Sequence, residues 1–154
     1  MKAVKSLNPG NAMKLIKHLL DAKGRNVESV APDRSVLDAI LIMAEKGIGA
    51  LIVIDGGKVA GIVTERDYAR KVILKGRSSS DTHVSEIMTS DVATATSDDT
   101  VKSCMNVMTE MRIRHLPVVD DGEIGGMISI GDLVKAIISD QQEEIEQLEH
   151  YISS

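Results

Sequence analysis

The stretch that decides the fold is Val36–Asp67, VLDAILIMAEKGIGALIVIDGGKVAGIVTERD, which recurs without a gap 65 positions later (36 to 101) as Val101–Asp132, VKSCMNVMTEMRIRHLPVVDDGEIGGMISIGD. Ten aligned positions are identical, namely Val36/Val101, Met43/Met108, Glu45/Glu110, Ile48/Ile113, Leu51/Leu116, Val53/Val118, Asp55/Asp120, Gly57/Gly122, Gly61/Gly126 and Asp67/Asp132. The spacing is too long and the copies are too few for a solenoid. We expect two copies of a small αβ unit that pack on each other, because neither buries its apolar face alone.

Each copy predicts the element order β-α-β-β-α. In the first copy, Ser35 or Asp33 can cap a helix, and apolar positions at helical spacing follow it. After the helix come an apolar run, which is typical of a buried strand, and an Asp-Gly-Gly hairpin turn. The predicted elements of the first copy are a strand at 27–30, a helix to about Lys46, strands Ala50–Ile54 and Lys58–Thr64, and a helix from Glu65 to about Lys75. Those of the second are strands Val92–Thr96, His115–Asp120 and Glu123–Ser129, and helices Thr100–Met111 and from Gly131.

The sequence outside the repeats predicts terminal helices. We divide the chain into an N-terminal tail and helix (1–25), repeat one (26–80), repeat two (81–139) and an extension of the last helix (140–154). The N-terminal helix, Asn11–Ala22, is expected to dock on its own domain or on a dimer partner, in preference to a membrane. The last helix has an apolar stripe spaced 4, 3, 4, 3, 4, which is expected to pack on the N-terminal helix or on another subunit. The stripe comprises Val134, Ile138, Gln141, Ile145, Leu148 and Ile152.

Composition excludes several classes of function. The chain has 43% hydrophobic residues, no Phe or Trp and a net charge of −5. An aliphatic core is therefore expected, and nucleic-acid binding is disfavoured because it relies on aromatic stacking and a basic face. No apolar run is long enough to cross a membrane, and no secretory signal is evident, so a cytoplasmic location is predicted. Cys104 is the single cysteine and lies on the apolar face of a predicted helix, which favours a buried thiol.

A short motif at the junction of the third strand and the following helix carries the chemistry. Gly61–Asp67 and Gly126–Asp132 both read Gly-apolar-apolar-Ser/Thr-x-x-Asp. The first-turn N–H groups of a helix form an anion site, and a Ser or Thr hydroxyl there can donate to phosphate. An Asp three residues later can accept hydrogen bonds from the hydroxyls of a ribose. The alternative is plain helix capping, in which the hydroxyl and the carboxylate only bond the helix terminus.

With Val84–Thr89 (VSEIMT) between the copies and Ile113–Asp120 (IRHLPVVD) in the second, these motifs resemble those of tandem CBS-domain proteins. The resemblance covers about Asn26 to Ser139 and implies a stand-alone CBS pair. The implied fold is α/β: two β-α-β-β-α units packed sheet to sheet with pseudo-two-fold symmetry, plus the N- and C-terminal helices. It also implies a regulatory module that senses adenine nucleotides (AMP, ADP or ATP) in the cleft between the repeats and transmits its state to a partner. NAD and S-adenosylmethionine are the alternative ligands.

The family pattern assigns roles to residues of both repeats. Asp67 and Asp132 would hold ribose, and Thr64 and Ser129 would lie near phosphate. The basic residues expected before the second strand are present only in repeat two, where they are Arg112, Arg114 and His115. Arg66 is the basic residue offered by repeat one. The alternative for Arg112 and Arg114 is a solvated face after a helix. Adenine would need an apolar slot, for which the candidates are Ile48, Ala50, Ile62, Ile113 and Met127.

No catalytic or metal site is predicted. The four histidines are scattered, without the spacing of metal ligands, and there is no nucleophile elbow or phosphate-binding Walker loop. Asp67 and Asp132 occupy equivalent places, which favours two like binding sites over an acid–base pair. We expect the chain to form a homodimer. The protein partner that it would regulate is not identified by the sequence. The runner-up hypothesis is a structural adaptor that binds a protein partner and no small ligand.

Overall fold

The computed structural model describes residues 2–3 and 14–153. The strands are β1 (Lys2–Ala3), β2 (Ser29–Val30), β3 (Ala50–Asp55), β4 (Lys58–Thr64), β5 (Ala93–Thr94), β6 (His115–Asp120) and β7 (Glu123–Ser129). The helices are α1 (Ile16–Lys23), α2 (Val36–Lys46), α3 (Glu65–Tyr68), α4 (Val101–Met111) and α5 (Ile130–Ser153). The α/β class and the repeated element order are confirmed. Residues 11–13 of the predicted N-terminal helix lie outside the described part.

The chain forms two compact units whose boundaries do not follow the repeats. The first is built on Val27–Val92, and the second on Ala93–Ser154 together with the segment that ends at Asn26. Helix α1 therefore belongs to the unit of the second repeat. Its first N–H groups, which have no partner within the helix, donate to carbonyls of that unit: Ile16 N to Asp99 O at 2.8 Å and Lys17 N to Ser97 O at 2.9 Å.

The first unit is a three-stranded sheet with order β2-β3-β4. β2 runs parallel to β3, and β3 pairs antiparallel with β4 in the register Ala50↔Thr64 to Asp55↔Lys58. One face of the sheet packs against α2 and the 84–87 segment in a cluster of aliphatic side chains. The cluster includes Val30, Val36, Ala39, Met43, Leu51, Val53, Val63, Val72, Val84 and Ile87. Ala50, Ile52 and Ile62, which lie outside that cluster, are also buried, so both faces of β3 are covered, as its continuous apolar run predicts.

The second unit repeats this plan and adds α1. β6 pairs antiparallel with β7 in the register His115↔Ser129 to Asp120↔Glu123, and Ala95 bridges Val118 in parallel. Its core comprises Ile16, Leu19, Leu20, Ala93, Ala95, Val101, Cys104, Met108, Leu116, Val118, Ile128, Leu133 and Ala136. Cys104 is buried, as predicted, and burial raises the pKa of its thiol to about 12. No helix within residues 14–153 is both long and apolar enough to cross a bilayer.

The helix after β4 is shorter than expected, whereas the long helix after β7 is close to the prediction. The α-helical part after β4 is only Glu65–Tyr68, and Ala69–Ile73 continues as a π-helical turn. After β7, α5 runs for 24 residues. Leu133 and Ala136 form its buried face, while Val134 and Ile138 are 42% and 59% exposed. The predicted stripe therefore does not pack on α1, whose own apolar residues Ile16, Leu19 and Leu20 are all buried in the second unit.

Two equivalent glycines mark where β4 and β7 are closely packed. A Cβ at Gly61 would lie 2.6 Å from the backbone oxygen of Thr89, which accepts a hydrogen bond from Ile62 N at 3.0 Å. A Cβ at Gly126 would meet the Leu20 side chain at 2.7 Å. At Gly61 the close neighbour is backbone, which leaves no room for a side chain, whereas at Gly126 it is the end of the Leu20 side chain, which can move.

We predict that Gly61→Ala lowers the free energy of unfolding by about 1–3 kcal/mol, because the methyl group must displace the backbone of Thr89. The matched control is Gly125→Ala in β7, where the nearest atom to the new Cβ lies 3.6 Å away. That change should stay within about 1 kcal/mol of the unmodified chain. Urea unfolding measures both, and equal effects would contradict this account of the contact.

Candidate functional site

The predicted motif of the second repeat forms a reciprocal cap at the start of α5. Ser129 N donates to Asp132 Oδ2 at 2.8 Å, and Asp132 N donates to Ser129 Oγ at 3.2 Å. Two N–H groups that the helix cannot satisfy are bonded in this way. The cap uses Oδ2 and does not use Oδ1.

The first repeat has the same cap with one additional bond. Thr64 N donates to Asp67 Oδ2 at 3.0 Å, and Asp67 N donates to Thr64 Oγ1 at 3.1 Å. The Thr64 hydroxyl also donates to Asp67 Oδ2 at 3.0 Å, so its hydrogen is engaged within the cap. The capping alternative is therefore present in both repeats. It positions both carboxylates at helix N-termini, and in each repeat Oδ1 lies outside the cap.

Strand pairing brings the start of the second strand beside each cap. His115 pairs with Ser129, and Ile130 N donates to Arg114 O at 2.9 Å. Ala50 likewise pairs with Thr64, and Glu65 N donates to Gly49 O at 3.1 Å. Arg114 is exposed and His115 is half-buried beside the Ser129–Asp132 cap. The equivalent place in the first repeat holds Gly49 and Ala50, so it has no cationic side chain there.

Arg112 lies at the C-terminus of α4 in an unusual backbone conformation. Its φ is 55°, in the left-handed region, where its repeat equivalent Gly47 has a φ of 64°. An L-residue with a Cβ pays roughly 1–2 kcal/mol for this conformation, whereas glycine does not. Arginine is thus retained at a place that suits glycine. This conformation caps the C-terminus of α4, as the left-handed Gly47 caps α2 in the first repeat.

The residues proposed to line an adenine slot are split between buried and half-buried positions. Ala50 and Ile62 are buried, whereas Ile48, Ile113 and Met127 are half-buried. Ile62 is further held by two backbone hydrogen bonds with Thr89, at 3.0 and 2.9 Å. The half-buried members are the ones that a ligand could contact without displacing core side chains. Arg66 is exposed in the first turn of α3, beside Asp67.

A lysine bonds the aspartate in each repeat, and the two lysines come from different parts of the chain. Lys23, in the last turn of α1, donates to Asp132 Oδ2 and to Met127 O, both at 2.6 Å. Lys71 lies four residues after Asp67, with Nζ 3.2 Å from Asp67 Oδ1 and 2.8 Å from Ile87 O. Sequence reasoning missed both. The i, i+4 spacing signals Lys71, whereas nothing local signals Lys23, which is 109 positions from Asp132.

The electrostatics of Asp132 favour its charged form. Burial alone raises the pKa of this carboxyl, but the hydrogen bonds from Lys23 and from the Ser129 backbone outweigh burial. Together they hold the pKa of Asp132 below its ordinary value. Asp132 is therefore a carboxylate at neutral pH and can accept hydrogen bonds. Among residues 14–153, no group of three or more His, Cys, Asp or Glu side chains is arranged to hold a metal ion.

The chain is similar to known proteins along most of its length. The family model for the CBS domain matches residues 21–73 and 84–139. CBS domain-containing protein CBSX3, mitochondrial, from Arabidopsis thaliana is 40% identical over 146 residues, covering 89% of this chain and 71% of that protein. The crystal structure of the CBS domain of NE2398 superposes with a TM-score of 0.79 at 51% identity, covering 82% of this chain and 98% of that one.

A third similarity concerns a structure with bound ligands. The CBS domain pair of protein MJ0100, solved in complex with 5′-methylthioadenosine and S-adenosyl-L-methionine, superposes with a TM-score of 0.74 at 27% identity. The match covers 83% of this chain and 98% of that one. The repeated motif, the two units and these matches agree. The chain therefore belongs to the CBS-domain family and carries two copies of the domain.

Proposed function

We propose that this protein is a regulatory module that binds an adenosyl ligand and senses adenine nucleotides, namely AMP, ADP or ATP. The observation that carries the proposal is the charged Asp132, held at the start of α5 with Oδ1 outside the cap. A carboxylate oxygen in this position suits the two hydroxyls of a ribose. The ligands of the related MJ0100 pair, which share an adenosyl group, support the assignment. NAD and S-adenosylmethionine are ligands of the same chemistry and belong in the test.

Phosphate recognition is assigned to the second repeat. The Ser129 hydroxyl at the start of α5 can donate a hydrogen bond, and Arg112 and Arg114 are exposed cations of the same repeat. In the first repeat, the Thr64 hydroxyl already donates to Asp67, Lys71 is held by Asp67 Oδ1, and Arg66 is the exposed cation beside Asp67. We therefore assign nucleotides to the second repeat, and adenosyl ligands with little or no phosphate to the first.

Lys23 makes binding at the second repeat a displacement reaction. Its ammonium group bonds Asp132 Oδ2 and the backbone oxygen of Met127, a residue of the proposed adenine slot. Lys23 bonds Oδ2, so a ribose whose two hydroxyls engage both carboxylate oxygens competes with this cation, and a phosphate group offers the released ammonium a new partner. Ligand binding is thereby coupled to the end of α1.

We also propose a homodimer. The exposed apolar surface lies on α2 and on the first half of α5, whereas α1 docks on its own unit, one of the two outcomes expected from the sequence. Leu37 and Leu41 of α2 are 41% and 56% exposed, and Val134 and Ile138 of α5 are exposed to a similar degree. Apolar helix faces of this kind are typical of subunit contacts. The cytoplasmic location stays a prediction.

Asp132→Ala is expected to weaken binding of AMP by about 1.5–3 kcal/mol, the value of hydrogen bonds to a charged group. Isothermal titration calorimetry with AMP, ADP, ATP, NAD and S-adenosylmethionine measures this loss and ranks the ligands. The control is Asp98→Ala, which removes a carboxylate that is 86% exposed and belongs to a different surface. If none of the five ligands binds the unmodified chain, the adaptor hypothesis replaces this one.

Lys23→Ala should raise the affinity for adenosine by about two- to fivefold, since it removes a competitor worth roughly 0.5–1 kcal/mol. The gain should be smaller for AMP, because the variant also loses a cation near the phosphate. Lys17→Ala, on the same helix, is the control. A loss of adenosine affinity in Lys23→Ala would show that the lysine holds the ligand instead of competing with it.

The same variant tests the electrostatics. Because the pKa of Asp132 is depressed in the folded chain, its contribution to stability is present above the ordinary carboxyl pKa of about 3.9. That contribution is lost as the pH falls through the folded pKa. Lys23→Ala should raise the pKa of Asp132 toward its ordinary value, so the contribution becomes smaller and its loss is complete at a higher pH. Side-chain NMR titration of Asp132 measures the shift, and an unchanged pKa would contradict the role of Lys23.

Arg112→Gly separates function from stability. Glycine relieves the left-handed conformation, so the free energy of unfolding should stay the same or rise by up to about 1 kcal/mol. Affinity for ATP should fall, and the salt dependence of binding should flatten, because a phosphate contact is removed. Affinity for adenosine should be unchanged. Equal losses for adenosine and ATP would show that Arg112 shapes the site without reading phosphate.

A further inference from the structure

The second half of α5, Gln141–Ser153, is a helix whose side chains are all exposed. The buried residues of α5, Leu133 and Ala136, both lie in its first two turns. Beyond them, Ile145, Leu148 and Ile152 are 48%, 61% and 80% exposed. They are spaced 3 and 4 residues apart and therefore share one face of the helix. We call this face the distal stripe.

The distal stripe lies in a strongly acidic segment. Glu143, Glu144, Glu146 and Glu149 surround it, and the sequence has no Lys or Arg after Lys135. Acidic side chains near a helix C-terminus interact unfavourably with its macrodipole, and a free helix of this length is marginal in water. A covering partner that is both apolar and cationic would offset both costs.

Heptad positions identify what kind of helix fits. With Ile145 and Ile152 at a and Leu148 at d, the flanking g and e positions hold Glu144 and Glu149. In a parallel pair, residues at g and at the following e lie opposite each other across the interface and set the choice of partner. In this parallel arrangement a second copy of the chain would place Glu144 against Glu149, so parallel self-pairing is disfavoured. An anionic lipid surface is disfavoured by the same charges.

We propose that the distal stripe is the docking site for a basic amphipathic helix of a partner protein, with Ile or Leu at its core positions and Lys or Arg at its flanking positions. The inference rests on the charge complementarity of this segment and does not depend on ligand binding. Since Asp132 lies in the first turn of the same helix, the site and the docking surface share one continuous element.

Two designed peptides of three heptads test the proposal on the full chain. Both carry Ile at a and Leu at d, and they differ only in having Lys or Glu at e and g. Calorimetry should show that the Lys peptide binds about tenfold more tightly than the Glu peptide, and that its affinity falls with added salt. Equal affinity for the two peptides, or binding of neither, would overturn the proposal.

Three variants separate the distal stripe from general attraction to an acidic protein. Ile145→Gln with Leu148→Gln should abolish binding of the Lys peptide while keeping every charge. Glu144→Lys with Glu149→Lys should reverse the preference toward the Glu peptide. A chain ending at Asp140 should lose peptide binding and keep the oligomeric state of the full chain in sedimentation velocity. If the shortened chain instead loses its dimer, a second copy is the occupant and the proposal is wrong.

Discussion

The reciprocal cap between a hydroxyl residue and an aspartate three positions later is the interaction on which the functional part of this fold depends. It ends a buried strand and starts a helix at one point, and it occurs at Thr64–Asp67 and again at Ser129–Asp132. Helix capping and ligand binding are therefore not alternatives. The cap fixes the carboxylate through Oδ2 and the backbone, which is the pre-organisation that a ribose site needs.

Lysine placement differs between the two repeats. Lys71 lies on the helix that follows the first cap, so it remains beside Asp67 whatever α1 does. Lys23 lies at the end of α1 and bonds Asp132 from there. The second unit holds α1 in place through backbone hydrogen bonds and through the buried Ile16, Leu19 and Leu20. The second site thus has Arg112 and Arg114 as exposed cations and a lysine that comes from another helix. The first site has the exposed Arg66 and a lysine four residues after its own aspartate.

The sequence predicted the features that depend on local pattern and duplication. Hydrophobic periodicity located α2, β3, β4 and α4 to within one or two residues, and the repeated Asp67 and Asp132 marked the caps. Local pattern could not predict that α1 belongs to the second unit, because this depends on backbone hydrogen bonds to distant residues, such as Ile16 N to Asp99 O. The contact of Lys23 with Asp132 could not be predicted either, because the two residues are 109 positions apart. The left-handed Arg112 was also missed, since propensity places glycine there.

The central claim is that the capped Asp132 reads the hydroxyls of a ribose. Calorimetry of the unmodified protein with AMP and with 2′,3′-dideoxy-AMP tests it most directly, because the ligands differ only in the two hydroxyl groups and no residue is changed. The account predicts that the dideoxy compound binds at least about tenfold more weakly, as expected for lost hydrogen bonds to a carboxylate. Equal affinity for AMP and its dideoxy analogue would contradict it.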